Sequence, residues 1–224
     1  MAALELEGIR KRYRGKAVLR DVNLSAERGS CVGLIGRNGS GKSTLLNILA
    51  GVLPPDGGRF FWEGQELFSA PALRRDKVGF VPQSSPLFEE LSALDNLRLW
   101  YDRESLKREL DSGVLLRLGI PDFLKARVSR LSGGMKKRLT IGCALAKQPS
   151  LLLLDEPSAA LDLAGRAELA EHLSRLRGEG ATLLLATHDV QEIAFCDALC
   201  LLRDGVLTPW VWDGDPRSLG ECLK

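Results

Sequence analysis

The chain has 224 residues, 45% hydrophobic and 27% charged, the composition of a globular protein able to bury a sizeable core. Thirty-one Lys and Arg against 29 Asp and Glu leave a formal net charge of +2, too little for nucleic acid to be the main partner, so any anion site must be local. The N-terminus carries acids where a signal peptide carries bases, and no apolar run approaches the roughly 18 residues of a membrane helix, so a cytosolic chain is expected.

In chain order, Leu4, Leu6 and Ile9 interleave with Glu5 and Glu7, and Val18, Val22 and Leu24 follow, which predicts half-exposed strands paired antiparallel. Three later runs, Cys31 to Ile35, Leu151 to Leu154 and Thr182 to Ala186, are almost continuously apolar, as parallel strands covered on both faces are. Each precedes a helix-like stretch, the alternation of an α/β fold, and Gly51 and Gly178 sit where C-terminal glycines stop helices. Pro54 to Gly58 reads as a turn leading to a strand over 59–62. From Ser84 to Gln148 the pattern is helical. Ser92 and Asp95 fit a capping box opening a helix through Leu97 and Leu99, and Glu104 to Leu118 repeats apolar residues at helical spacing. The organisation expected is one domain with an α/β core over 1–83 and 149–224 and a helical subdomain inserted over 84–148.

The first run opens into Gly36-Arg-Asn38-Gly39-Ser40-Gly41-Lys42-Ser43, which fits the pattern G-x-x-x-x-G-K-[ST], and a helix from Thr44 to Ala50 follows. Strand, glycine loop and helix form the context that this motif requires. Its backbone N–H groups curl around phosphate oxygens, Lys42 neutralises the terminal phosphates, and the Ser43 hydroxyl can ligate Mg²⁺. The candidate nucleotide contacts are Gly36, Asn38, Gly39, Ser40, Gly41, Lys42, Ser43 and Thr44. The second run ends on Asp155 and Glu156, at the strand end where open α/β sheets bind ligands. Asp155 occupies the position that helps hold Mg²⁺ in P-loop enzymes, and Glu156 is placed to orient or deprotonate the attacking water. To this point the residues indicate a P-loop ATPase or GTPase.

Leu131-Ser132-Gly133-Gly134-Met135-Lys136-Lys137-Arg138 adds a serine and two glycines opening a helix, a second phosphate-binding N-terminus for which one chain has no obvious need. This segment resembles the signature motif of ABC ATPases, and the resemblance extends over essentially the whole chain. It implies the ABC-type P-loop core, a mainly parallel sheet with an N-terminal antiparallel β subdomain. It also implies a dimer, presumed homodimeric, in which each ATP lies between one subunit's P-loop and Ser132, Gly133 and Gly134 of the other. By the same resemblance Tyr13 stacks on adenine and Gln83 senses Mg²⁺ and the attacking water while linking to the membrane partner. Asp162 sits at the dimer interface, and His188 contacts the γ-phosphate. Catalysis is thereby assigned to Glu156, His188, Gln83 and Lys42, and Mg²⁺ ligation to Ser43, Gln83 and Asp155. Met135 stands where glutamine is most common, as in many ABC-2-type exporters, and Ala159 replaces a common serine.

The function implied is the ATP-hydrolysing subunit of a transporter, peripheral on the cytoplasmic membrane face through transmembrane permease subunits. Met135, the short C-terminus and the absence of an appended domain favour export. The alternative is a non-transport ABC ATPase such as one serving iron–sulfur cluster assembly. Five dispersed cysteines (Cys31, Cys143, Cys196, Cys200 and Cys222) read as small core residues, and His172, in a polar helix, as solvated surface. Residues 210–224 read as a final strand and tail or as a contact surface.

Overall fold

The computed structural model describes residues 2–222. The first half runs β1 (Leu4–Tyr13), β2 (Lys16–Ala26), β3 (Cys31–Ile35), α1 (Lys42–Ala50), β4 (Gly57–Trp62), β5 (Gln65–Glu66), α2 (Pro71–Lys77) and β6 (Val78–Val81). Four helices follow, α3 (Ala93–Arg98), α4 (Arg103–Asp111), α5 (Val114–Arg117) and α6 (Gly133–Ala144). The chain then continues through β7 (Leu151–Asp155), α7 (Leu163–Gly178), β8 (Thr182–Ala186), α8 (Val190–Phe195), β9 (Ala198–Arg203), β10 (Val206–Trp210) and α9 (Pro216–Cys222).

The strands form two sheets. β2-β1-β4-β5 is antiparallel, with Leu6 opposite Leu24 and Ile9 opposite Val22, so the alternating residues of the sequence share one buried face. The second sheet has the order β10-β9-β3-β8-β7-β6; its neighbours run parallel except β10, which is antiparallel at one edge. Every residue of β3, β7 and β8 is buried. The near-continuous apolar runs have a plain cause: successive side chains point to opposite faces and both faces are covered. Leu152, Leu154, Leu183 and Leu185 pack with Leu97, Leu115, Ile120 and Leu139 of the helical segment. Leu151, Leu153 and Leu184 pack on the other face with Leu45 and Leu49 of α1 and with Phe60 and Trp62 of the antiparallel sheet. A buried leucine contributes about 1.5–3 kcal/mol.

Between the paired strands β6 and β7 every regular element among the described residues is helical, apart from an isolated bridge between Ser92 and Arg127. The Ser92 hydroxyl caps α3 by accepting from Asp95 N (3.1 Å). The helix expected to run from Glu104 to Leu118 is in fact two. The Glu109 carboxylate accepts from Val114 N (2.8 Å) and turns the chain between α4 and α5.

Three further expectations are corrected. His172 is 5% exposed, on the face of α7 that carries Leu169 and Leu173, and burial pushes its imidazole down to about 4. α7 runs through Gly178 and stops where Gly180 adopts a φ of +96°; Gly51 ends α1 as expected. The final strand ends at Trp210, and helix α9 replaces the expected tail as Trp210, Trp212 and Leu219 pack against Ile35 and Ile193. Lys224 lies outside the described residues. Cys31, Cys143 and Cys200 are buried as core residues, Cys196 is half-buried with its Sγ 3.5 Å from that of Cys31, and the Cys222 side chain lies outside those described.

Candidate active site

The C-terminal ends of β3, β7 and β6, and the turn after β8, carry the polar residues singled out in the sequence. After β3 the chain curls into the glycine loop. Gly36 is necessary there, because a Cβ would lie 2.6 Å from the Leu202 carbonyl. Gly39 and Asn38 are exposed, Thr44 is half-buried in the first turn of α1, and Gly41 caps that helix with a φ of +112°. The Ser40 hydroxyl is buried with no partner in the protein, an orphaned polar group of the kind a phosphate oxygen satisfies. Lys42 is buried, and its ammonium donates to the carbonyls of Gly36 (2.6 Å) and Arg37 (3.2 Å). Burial lowers its pKa, against the opposing pull of the Glu156 and Asp155 carboxylates.

Asp155 closes β7, is 3% exposed, and hydrogen-bonds the exposed Ser43. Burial raises its pKa, the Ser43 bond works against that rise, and neighbouring Glu156 adds to it. Glu156 follows with a φ of +47°, a left-handed conformation that costs a non-glycine residue of order 1 kcal/mol and that marks functional positions. Its carboxylate is held from two sides: Gln83 Nε2 donates to Oε2 (3.0 Å), and His188 Nδ1 lies 3.2 Å from Oε1. Three residues far apart in the chain thus converge because β6, β7 and β8 are adjacent in the sheet. The arrangement leaves one oriented carboxylate beside a hydroxyl–carboxylate pair and a lysine. Chemically that is a proton acceptor next to an oxyanion site.

Tyr13 ends β1, is 41% exposed, and has the Lys11 ammonium 5.9 Å from the centre of its ring. The following strand packs on the glycine loop, since a Cβ on Gly41 would meet Val18 at 3.0 Å.

Ser132 caps α6 by accepting from Met135 N (3.2 Å), which uses an oxygen lone pair and leaves the hydroxyl proton to donate. Ser132, Gly133, Gly134 and Asp162 line a groove of about 420 Å³ that none of the residues 36–44 enters. The two candidate phosphate-binding N-termini of one chain are therefore separate. Asp162 also caps α7, accepting from Gly165 N (2.9 Å). Met135 packs partly against the helical-side core.

Two features escaped the sequence reading. Arg166 of α7 pairs with Asp189, the residue after His188, at 2.6 Å, tying the loop after β7 to the loop after β8. Lys137, in the middle of the basic run Lys136-Lys137-Arg138, is 1% exposed, with Nζ on the carbonyls of Pro82 (3.0 Å) and Gln83 (3.2 Å).

A family profile for ABC transporters matches residues 19–159, which include the glycine loop, Gln83, the Ser132 helix, Asp155 and Glu156. The chain belongs to the ABC transporter family. This ABC ATPase is 33% identical over 209 residues to the linearmycin resistance ATP-binding protein LnrL of Bacillus subtilis, covering 90% of this chain and 67% of that protein. It is 37% identical over 222 residues to a Nod factor export ATP-binding protein I of Bradyrhizobium diazoefficiens, covering 97% and 72%. Among solved structures it resembles an ATP-binding subunit of an ABC transporter, with a TM-score of 0.85, 30% identity and coverage of 97% and 93%. It also resembles a dimeric ATP-binding cassette in a post-hydrolysis state with ADP and Pi, with a TM-score of 0.82, 31% identity and coverage of 91% and 96%. The cassette is an ATP-binding subunit that hydrolyses ATP, on the ABC-type P-loop fold.

Proposed function

We propose that two copies of this cassette close around two ATP molecules and power export through separate membrane subunits. The observation that carries the hydrolytic half is the convergence of Gln83 and His188 on the Glu156 carboxylate beside Ser43 and Asp155. In this reading Glu156 accepts the proton of the water that attacks the γ-phosphate, Gln83 and His188 fix its orientation, and Lys42 with the loop N–H groups receives the phosphate charge. Mg²⁺ fits the hard oxygen set of Ser43, Asp155 and the Gln83 amide, and when bound it neutralises charge on the terminal phosphates. Tyr13, with one ring exposed, takes the adenine.

The groove at Ser132 to Gly134 supports the dimer: it offers N–H donors and a serine proton at a helix N-terminus that the chain's own glycine loop does not reach. No helix among the described residues is long and apolar enough to cross a membrane, which accords with a separate membrane partner. Exposed Phe88, Leu91, Leu99 and Trp100 lie on the segment around Asn96, whose side chain bonds both backbone groups of Phe88, and provide an apolar docking surface for that partner. Export follows the relatives named for Nod factor export and linearmycin resistance, and Met135 agrees with it. The test is Glu156→Gln, which keeps the size and shape of the side chain but removes the proton acceptor. ATP turnover is expected to fall by about 10²–10⁴-fold while ATP still drives dimerisation, measured by phosphate release and size-exclusion chromatography. Wild-type turnover in this variant refutes the assignment.

A further inference from the structure

Lys137 is a buried ammonium that the reaction scheme does not use. An apolar side chain of similar length would fill its space without the cost of desolvating a charge, so packing does not explain it. Its only hydrogen-bond acceptors, as far as the described contacts go, are the backbone carbonyls of Pro82 and Gln83, more than fifty positions away in sequence. The Gln83 side chain in turn donates to Glu156 at 3.0 Å. Lys137 lies one helical turn beyond Gly133, so it shares a face of α6 with the N-terminus that opens onto the groove at Ser132. Three acids face it, Asp155, Glu192 and Glu156, and they favour the charged form that burial disfavours.

We propose that Lys137 is a positioning residue, which clamps the backbone at Gln83 to the signature helix and so sets the Gln83 amide on the hydrolytic carboxylate. Two carbonyls on one ammonium fix the segment in position and direction, which a single contact does not. A shift of α6 on engaging a phosphate is then transmitted to Glu156 through one ammonium and one amide. The proposal rests on the reading of Gln83 and Glu156 as hydrolytic residues.

The experiment compares the purified 224-residue chain with Lys137→Met, Lys137→Gln, Gln83→Ala, the Gln83→Ala/Lys137→Met double variant and Glu156→Gln. ATP turnover is measured against ATP concentration, ATP affinity by calorimetry, and folding by thermal melting. Misplacing a catalytic group by an ångström costs up to about a hundredfold, so Lys137→Met is expected to lower kcat by about ten- to a hundredfold. KM and calorimetric affinity are expected to stay within about twofold of wild type, the mark of an interaction needed only in the transition state. Lys137→Gln, which keeps an N–H donor, recovers part of the rate and replaces the methionine variant if that one does not fold. The double variant is expected to be no slower than the slower single variant, because both act through one contact. Wild-type kcat in the Lys137 variants, losses that multiply in the double variant, or a parallel loss of ATP affinity overturns the proposal. Turnover by Glu156→Gln instead overturns the underlying hydrolytic reading, and an inactive Glu156→Gln beside a fully active Lys137→Met removes the clamp alone.

Discussion

Acidification should destabilise this cassette through one side chain, His172. It is 5% exposed, its Nε2 has no partner in the protein, and Arg117 and Arg175 add their repulsion to the burial that holds its pKa at about 4. Unfolded, the same imidazole titrates near the ordinary value of 6.5. The folded pKa is therefore depressed. The corresponding stability is fully present above about pH 6.5 and is lost as the pH falls toward and through 4, where the unfolded chain binds a proton that the folded one refuses. The difference between those two values corresponds to ~3 kcal/mol, a large share of the roughly 5–15 kcal/mol that holds a domain together. Urea denaturation in steps from about pH 7 to 4, for wild type and His172→Leu, isolates this contribution. Carboxylates such as Asp56 and Asp102, held low by their hydrogen bonds, titrate in both proteins and cancel in the comparison. The expected result is a wild-type stability, taken relative to His172→Leu, that falls by ~3 kcal/mol over this range. Stability curves that stay parallel between the two proteins refute the reasoning.

Two further outcomes follow from local geometry. Ser132→Ala removes the cap of α6 and is expected to cost about 1 kcal/mol in urea denaturation, and a Ser132→Asn variant should retain most of that stability. Gly58→Ala places a Cβ 2.6 Å from the Gly8 carbonyl and 2.7 Å from that of Glu7, at a φ of +99°. The obstacle is backbone of the paired strand β1, so the expected loss is about 2–3 kcal/mol, read as a lowered melting temperature.

The phosphate loop was legible in the sequence because its information is local: an apolar strand, glycines, a lysine and a helix in one stretch of chain. The same holds for Asp155 and Glu156, which end a strand that is itself recognisable. The convergence of Gln83 and His188 on Glu156 was not, since it depends on the adjacency of β6, β7 and β8 in the sheet. The burial of His172 was misread because its neighbours Glu171 and Arg175 are polar, and that of Lys137 is likewise masked by Lys136 and Arg138. The periodicity was there: Leu169, His172 and Leu173 fall three and four apart on the buried face of α7, and Lys137, Thr140 and Ile141 do so on α6. The break between α4 and α5 turned on a single carboxylate–amide bond, which no repeat of apolar residues encodes.

β6 and β7 pair residue for residue from Val78 and Leu151 to Val81 and Leu154, although the entire helical segment lies between them in the chain. The entropy of closing such a connection grows only with the logarithm of its length, so doubling it adds about 0.6 kcal/mol. Strand register is thus nearly indifferent to what the crossover contains. The helices between β6 and β7 can therefore be lengthened, shortened or resurfaced while the sheet beneath the glycine loop and Asp155 keeps its alignment.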